Sequence, residues 1–410
     1  MPIASNNTIA TSYQTELVAL RAASSAPYFL VGSKAYIDKA ELVNKRKGQT
    51  YGFVIRDRGE VENQLAVSAG AKKNVVERKV ELSIEPWHIF EQNNVVEGKT
   101  DLQFDKEVAE MDGPALVQGA VKKEIQKDMA KCTTAFVGAV GEFEPLAMAA
   151  GHLSSITSEP LYGFVDPMIE SLVTARGGQF VPHGAPAMYK SGLLGIFHGA
   201  DYRSQRFLKV VKVPAAMATA MASATFTSFN DTTNVLTIKI AAAGSAFKVS
   251  AGTPFWVEGI VATDTLGDET AQPYAFIANA DVTVASGATS IAIPVDEVPV
   301  AFGGTRVASL EDGSAVVWAS VPTTSPVTAP AAGTYFTGII RANGAYQFQT
   351  LDEIDVAVPE SKKGSVEGVT VFQNRLTDMD NFETGTRFDL FTLAGTAEKR
   401  CQSLVLVKAK

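Results

Sequence analysis

Residues 214–330 stand apart from the rest of the chain by charge. They hold three basic residues (Lys239, Lys248 and Arg306) and ten acidic ones (Asp231, Glu258, Asp264, Asp268, Glu269, Asp281, Asp296, Glu297, Glu311 and Asp312), a net of −7. The whole 410-residue chain nets −8, so the remainder, with 33 of the 36 basic and 34 of the 44 acidic residues, is close to neutral. The same stretch has the pattern of short strands. Val235, Thr237 and Lys239 alternate with Leu236, Ile238 and Ile240. Gly252 to Val257, Tyr274 to Ala278, Val282 to Val284 and Ser290 to Ile293 follow, separated by Gly, Pro, Asn and Asp. Such spacing predicts a small β-barrel or sandwich. Thr323 to Gly333, rich in Pro, Thr, Ser and Ala, reads as the linker that leaves it.

The segments on either side belong to one body. Before the insert, Thr8 to Arg21 reads as an amphipathic helix with Ile9, Tyr13, Leu17 and Leu20 in one stripe. Thr50 to Ile55 and Val76 to Glu85 read as two strands of a hairpin with a long charged tip. The second strand turns Val76, Val80, Leu82 and Ile84 to one face. A two-stranded hairpin is marginal alone, so this arm must lie on something, such as another subunit. Asp105 to Phe136 is the longest helical stretch, with Val117, Val121, Ile125, Met129, Cys132 and Phe136 recurring every three or four residues. Gly113-Pro114 is expected to kink or divide it. Lys122, Lys123, Glu124, Lys127 and Asp128 are assigned to its solvent face.

Further on, Glu144 to Ser154 predicts a short helix. Leu161 to Val165 predicts a buried strand, with Asp166 as N-cap and Pro167 as the first residue of a helix reaching Arg176. Pro186 to Leu194 reads as a helix and Phe207 to Val213 as a strand into the insert. After it, Tyr335 to Ile340, Tyr346 to Phe348, Val366 to Leu376, Thr386 to Leu393 and Leu404 to Val407 read as strands. The class is α+β, with a β module set into a body that begins before it and resumes after it.

No constellation for chemistry emerges. The four histidines (His88, His152, His183 and His198) form no zinc-protease spacing, and the His88/Glu91 proximity is common by chance. There is no nucleophile elbow, phosphate loop or dinucleotide fingerprint. Cys132 and Cys401 lack partners at metal or redox spacing and read as buried thiols. Asp264, Asp268 and Glu269 surround Gly267. This loop reads as a solvated acidic turn, a cation loop without EF-hand spacing, or a contact for a basic patch on a neighbour. No catalytic residue, metal ligand or cofactor is assigned. The acidic balance argues against tight nucleic-acid binding. Short basic runs (Lys45-Arg46-Lys47, Lys72-Lys73, Lys122-Lys123 and Lys362-Lys363) read as solvated faces. Neither a signal peptide nor an apolar run of bilayer length is visible, so cytoplasmic synthesis is expected.

The order of these parts, with Glu110-Met111-Asp112-Gly113-Pro114 entering the long helix, Tyr162 to Pro167 joining strand to helix, and Thr386-Arg387-Phe388-Asp389-Leu390 late in the chain, resembles tailed-phage major capsid proteins of the HK-97 (Hong Kong 97) fold. The insert resembles that of the P-22-like coat proteins. The resemblance implies an N-arm (1–48), an E-loop (49–86), a P-domain with spine helix and the first part of an A-domain (87–213), an insertion domain (214–332) and a return to the body (333–410). In the insert, Val235 to Ile240 and Gly252 to Phe255 look like the central strand pair. It further implies a structural protein, not an enzyme, that self-assembles into hexamers and pentamers of an icosahedral virion shell in the host cytoplasm. Scaffolding protein, portal and weakly held double-stranded DNA are the expected partners, with no membrane. Arg56, Asp57, Arg58, Glu60 and Glu62, charges of both signs at the arm's tip, are expected assembly contacts, together with Asp264, Asp268 and Glu269. The acidic insert is expected on the outer face, away from DNA. An encapsulin-type compartment and a β-rich adhesin are the alternatives; neither accounts for all the parts.

Overall fold

A computed structural model describes residues 15–24, 27–37, 50–56, 77–93, 101–139, 144–171, 193–197, 199–230, 232–265, 269–296, 322–351, 362–378 and 383–409. The fold mixes helix and strand and divides into two compact units. The first is built from residues up to 54, 79–124 and 346–395, the second chiefly from 125–345 and 396–410.

In the first unit, Glu383–Thr396 is the central strand of a seven-stranded sheet. On one side it pairs antiparallel with Val369–Asp378, and on the other with Glu77–Asn93, from Thr384↔Asn93 to Leu393↔Ile84. Glu77–Asn93 also pairs with Thr50–Arg56, as the hairpin reading expects. The arm's second strand is thus built into this chain's own sheet. The alternation predicts the buried face: Leu82 and Ile84 join Tyr51, Phe372, Phe391 and Leu393 in one core cluster. Phe29 stacks on Phe348 at 4.7 Å, and Tyr28 meets Tyr346 edge-on at 5.8 Å.

The N-terminal helix covers 15–24 among the described residues, past the expected end at Arg21. Its buried face is Thr15, Val18, Ala19 and Ala22, while Leu20 is 49% exposed. Leu20 thus departs from the expected stripe, while Leu17 is half-buried. Small residues face inward because neighbouring backbone comes very close. A Cβ on Gly113 would stand 2.8 Å from Arg21 Cβ and 3.0 Å from the Val18 carbonyl oxygen. One on Gly364 would stand 2.6 Å from the Thr15 carbonyl group. The Thr15 hydroxyl donates to Gln373 Oε1 at 2.8 Å.

The long helix is Asp101–Lys131, continuous through Pro114. Gly113 neither divides nor ends it. Its predicted stripe holds: Val117, Val121, Ile125 and Met129 are all buried. Two parts of the reading fail. Phe136 lies beyond the helix, on strand Thr134–Gly138, because β-branched Thr133 and Thr134 begin an extended segment. Glu124 and Asp128, assigned to solvent, are 3% and 0% exposed. Asp128 is seven residues from Val121, two turns on, and so shares its face.

The second unit contains a seven-stranded mixed sheet: six strands in the order Thr134–Gly138, Gln402–Lys408, Gly333–Ala342, Leu161–Val165, Ala200–Ser204, Leu193–Phe197, and Val211–Val213 paired off this path with Gly333–Ala342. Helix Glu144–Ile156 packs on it through Leu146, Ala149, Ala150 and Leu153. Asp166 caps the next helix as predicted, accepting from the Met168 amide at 2.8 Å. Leu193 and Leu194, expected to end a helix, lie on strand Leu193–Phe197. The expected strand Phe207 to Val213 is reduced to Val211–Val213, and Ala200–Ser204 had no counterpart in the reading.

The chain leaves this sheet on Val211–Val213 and returns on Gly333–Ala342, and these two strands pair through Gly333↔Val213 and Tyr335↔Val211. Between them lie, among the described residues, helix Ala215–Met221 and three small sheets. Val235–Lys239 lies between Ser290–Pro294 and Thr225–Asn230. Phe247–Val249 pairs with Val282–Val284. Pro254–Thr263 pairs with Glu269–Ile277 and with Val327–Thr328. The expected central pair is therefore replaced: Val235–Lys239 and Pro254–Thr263 lie in different sheets. The presumed linker contributes a strand instead, Val327–Thr328. Alternation held where one face is buried, as in Leu236 and Ile238.

Candidate functional site

Among the described residues no group of three or more His, Cys, Asp or Glu could hold a metal ion. His88 is exposed on strand Glu77–Asn93. His152 is buried on helix Glu144–Ile156, its ring 5.9 Å from that of Phe136, and burial lowers its pKa to about 4. Cys132 and Cys401 are free and buried. Burial drives the Cys132 thiol well above its usual range, away from the thiolate that nucleophilic chemistry requires. His183 and His198 lie outside the described residues.

The most enclosed charges form a structural network. Asp128 and Arg341 are both 0% exposed, with Arg341 Nη1 3.9 Å from Asp128 Oδ2. The Arg341 guanidinium lies over the Phe164 ring at 4.7 Å. Thr396 Oγ1 donates to Asp128 Oδ1 at 2.6 Å, and Gln402 Nε2 donates to the Asp128 carbonyl at 3.0 Å. This network joins the end of the long helix to strands Gly333–Ala342 and Gln402–Lys408 and offers no access to a substrate.

The acidic insert meets cationic residues of the body in a second set of contacts. Asp281 accepts from the Ala251 amide at 2.8 Å. It also pairs with Lys209 of the body at 3.0 Å and with Lys248 at 2.8 Å. Asp296 pairs with Lys399 at 2.8 Å. Arg400 is held bidentate by Glu398 and donates from Nη1 to the Asp264 carbonyl at 3.1 Å. The Ala275 amide donates to the Thr133 carbonyl at 2.9 Å. Part of the insert's negative charge thus faces its own body. These residues, 72 positions apart in the case of Lys209 and Asp281, leave no local pattern. The charge imbalance is their only trace in the sequence.

The Ala251 amide and the two lysines hold the Asp281 carboxyl far below the ordinary carboxylate range. A carboxyl lowered in the folded state stabilises it fully above the unfolded value, about 3.9, and the gain is lost as pH falls toward the folded value. Asp281→Asn is therefore expected to lower the melting temperature at pH 7. The gap from the parent should narrow progressively below about pH 4. A gap independent of pH, or widening in acid, would exclude the ion pairs as its cause.

Of the expected assembly contacts, Arg56 closes strand Thr50–Arg56, while Asp57, Arg58, Glu60, Glu62 and Asp268 lie outside the described residues. Asp264 directly follows strand Pro254–Thr263, and Glu269 opens the strand it pairs with. The acidic loop is thus a hairpin connection, tied at Asp264 to this chain's own Arg400. No helix among the described residues is long and apolar enough to cross a membrane.

No family model matches the chain, and no curated protein matches it in sequence. Solved structures do resemble it in backbone. A chain from Mycobacterium phage Che8 is 11% identical with a TM-score of 0.42, over 91% of this chain and 92% of that one. The capsid of Ralstonia phage GP4 is 8% identical with a TM-score of 0.44, over 92% and 87%. A virus-like particle from Pyrococcus furiosus is 7% identical with a TM-score of 0.40, over 96% and 97%.

Proposed function

We propose that the chain is the major capsid protein of a tailed double-stranded DNA phage, self-assembling into the icosahedral head. The observation that carries this reading is the order of parts around a split body. A terminal helix comes first, then a strand pair joined by residues 57–76, then a 31-residue helix, then a mixed sheet. That sheet is left and re-entered on the paired strands Val211–Val213 and Gly333–Ala342. This is the order on which the resemblance to the HK-97 fold rests. On it, residues 15–24 belong to the N-arm, Thr50–Arg56 and Glu77–Asn93 form the base of the E-loop, Asp101–Lys131 is the spine helix, and 214–332 is the insertion domain. The enclosed Asp128–Arg341 network favours a structural role over catalysis.

The insert keeps acidic side chains exposed, Glu258 among them, and such a surface is repelled by DNA. The reading therefore places it on the outer face of the shell, with scaffold and portal as further partners. Electron microscopy of the chain expressed alone or with its scaffold tests this: shells are expected, with insert density outside. Soluble monomers at high concentration would overturn the reading, and density lining the interior would overturn the placement. Arg56→Glu combined with Arg58→Glu is expected to cut particle yield while the soluble chain stays monodisperse. Normal yield from that variant would remove the arm's tip from the assembly contacts.

A further inference from the structure

Helix Glu144–Ile156 packs one face on the body sheet and turns another toward the insert. Glu144, Met148, Gly151 and Ser155 recur at steps of four, three and four, so they share that second face. Across from it stands the insert hairpin of Pro254–Thr263 and Glu269–Ile277. A cleft of about 600 Å³ lies between them at the Glu144 end and a hollow of about 350 Å³ at the Ser155 end. Met148 and Ala271 line both, so the two form one groove along the helix. From Glu144 to His152 the helix advances roughly 12 Å. The middle of the groove is apolar, with Met148 47% exposed. Its ends are acidic: Glu144 and Glu258 line the cleft and Asp264 the hollow, and none of the described lining residues is Lys or Arg. Arg400 reaches the Asp264 carbonyl oxygen at 3.1 Å, but Glu398 neutralises its guanidinium.

Carboxylates alone would attract any cation; His152 and the apolar middle narrow the choice. His152 lines the hollow and is 8% exposed. Its Nε2 is buried with no hydrogen-bond partner. Burial holds the ring neutral, with a pKa of about 4, so it does not repel a cation, and a neutral imidazole offers one nitrogen as an acceptor for an ammonium N–H. Trp256 lines the cleft at the other end, and an aromatic face attracts ammonium groups. A hydrated metal ion gains nothing from the apolar middle and gives up its waters reluctantly. We propose that the groove binds a linear aliphatic polyamine, its end ammonium groups at Glu144 and Glu258 and at Asp264 and His152, its methylenes over Met148. A chain of three amines and seven methylenes, such as spermidine, zigzags through nine bonds to roughly 11 Å between its end nitrogens, which matches the groove. One wall belongs to the body and the other to the insert, so the bound chain ties the two together. The proposal goes beyond the shell reading and does not depend on it.

Calorimetric titration of the full chain with spermidine at physiological salt tests the proposal. Saturable binding of one molecule per chain is expected, with a rise in melting temperature that grows with ligand concentration. Magnesium at the same concentration should give neither. Glu258→Gln and Asp264→Asn should each weaken binding on the order of fivefold. Met148→Lys should abolish it, because it sets a cation at the waist of the groove from an exposed helical position that accepts lysine. In the parent the imidazole nitrogen resonances of His152 should move during the titration. An absence of saturable binding, an equal response to magnesium, parent-like binding by Met148→Lys or an unmoved His152 signal would each overturn the proposal. Tighter binding by a short lysine-leucine peptide than by spermidine would also overturn it and make the occupant a protein segment. None of these results bears on whether the chain forms shells.

Discussion

Arg341→Ala is expected to destabilise the second unit more than any surface change, by roughly 3–5 kcal/mol, because it strips the partner from a carboxylate that has no access to water. Asp128 is 0% exposed and 3.9 Å from the guanidinium. The Thr396 hydroxyl also donates to it, at 2.6 Å, but a neutral donor does not offset a full charge. The guanidinium also covers the Phe164 ring at 4.7 Å, so truncation opens a void beside an aromatic face as well. In a unit of this size each kcal/mol moves the melting temperature by roughly 2–4 °C, so a drop of about 10 °C is expected by calorimetry. Lys399→Ala makes the contrast. It removes a pair with Asp296 whose side chains are 16% and 29% exposed, and pairs open to solvent contribute about 0–1 kcal/mol. Arg341→Met with Asp128→Asn should recover most of the loss. It removes both charges and keeps an acceptor for Thr396, and replacing a buried ion pair by neutral groups is often nearly neutral. A melting temperature within 2 °C of the parent for Arg341→Ala would mean that the pair is solvated.

The same pair shows where the sequence stops being readable. Val117, Val121, Ile125 and Met129 declare a helix face by period alone, and that face is buried. Asp128 shares it but carries a charge, and a charge is assigned to solvent unless its partner is known. The partner, Arg341, is 213 positions away, on a strand reached only after the insert. Period also misleads at boundaries. Phe136 continues the four-residue step from Cys132, yet it is on a strand. Strands with one buried face, such as Val80 to Ile84, were legible. Thr225–Asn230 was not, because a bulge in its pairing sets its buried Phe226 and Phe229 three residues apart instead of two. The strand pairing inside the insert was misjudged because pairing is a long-range choice: Val235–Lys239 takes Ser290–Pro294, not the nearer Pro254–Thr263. For the candidate contacts, charge composition revealed an acidic insert but not the three cations, Lys209, Lys399 and Arg400, that meet it.

Gly364→Ala should release the N-terminal helix. The helix presents Thr15, Val18, Ala19 and Ala22 inward, residues too small to anchor it by apolar area alone. At about 25 cal/mol per Å² such side chains gain little from burial. What holds the helix is close approach of backbone, and Gly364 is its narrowest point. A Cβ there would lie 2.6 Å from the Thr15 carbonyl carbon and oxygen and 2.8 Å from the Glu16 nitrogen. Those are backbone atoms, so no rotamer change relieves the clash, and Lys362–Val366 is held in register by Val369–Asp378. The helix is the element left to move. Moving it breaks the buried bond from Thr15 to Gln373 and uncovers Gly113 on the long helix. Overpacking of this kind costs about 1–3 kcal/mol, more than a short helix whose buried side chains are mostly small can oppose. Limited proteolysis should then cut near Arg21 in the Gly364→Ala chain but not in the parent, with the thermal transition of the second unit unchanged. If the chain forms shells as proposed, particle yield should fall with it. Gly113→Ala, where the nearest atoms are Arg21 Cβ at 2.8 Å and the Val18 carbonyl at 3.0 Å, should show the same change to a smaller degree. Equal protection of Arg21 in parent and Gly364→Ala would show that the contact with Thr15 is not what holds the helix.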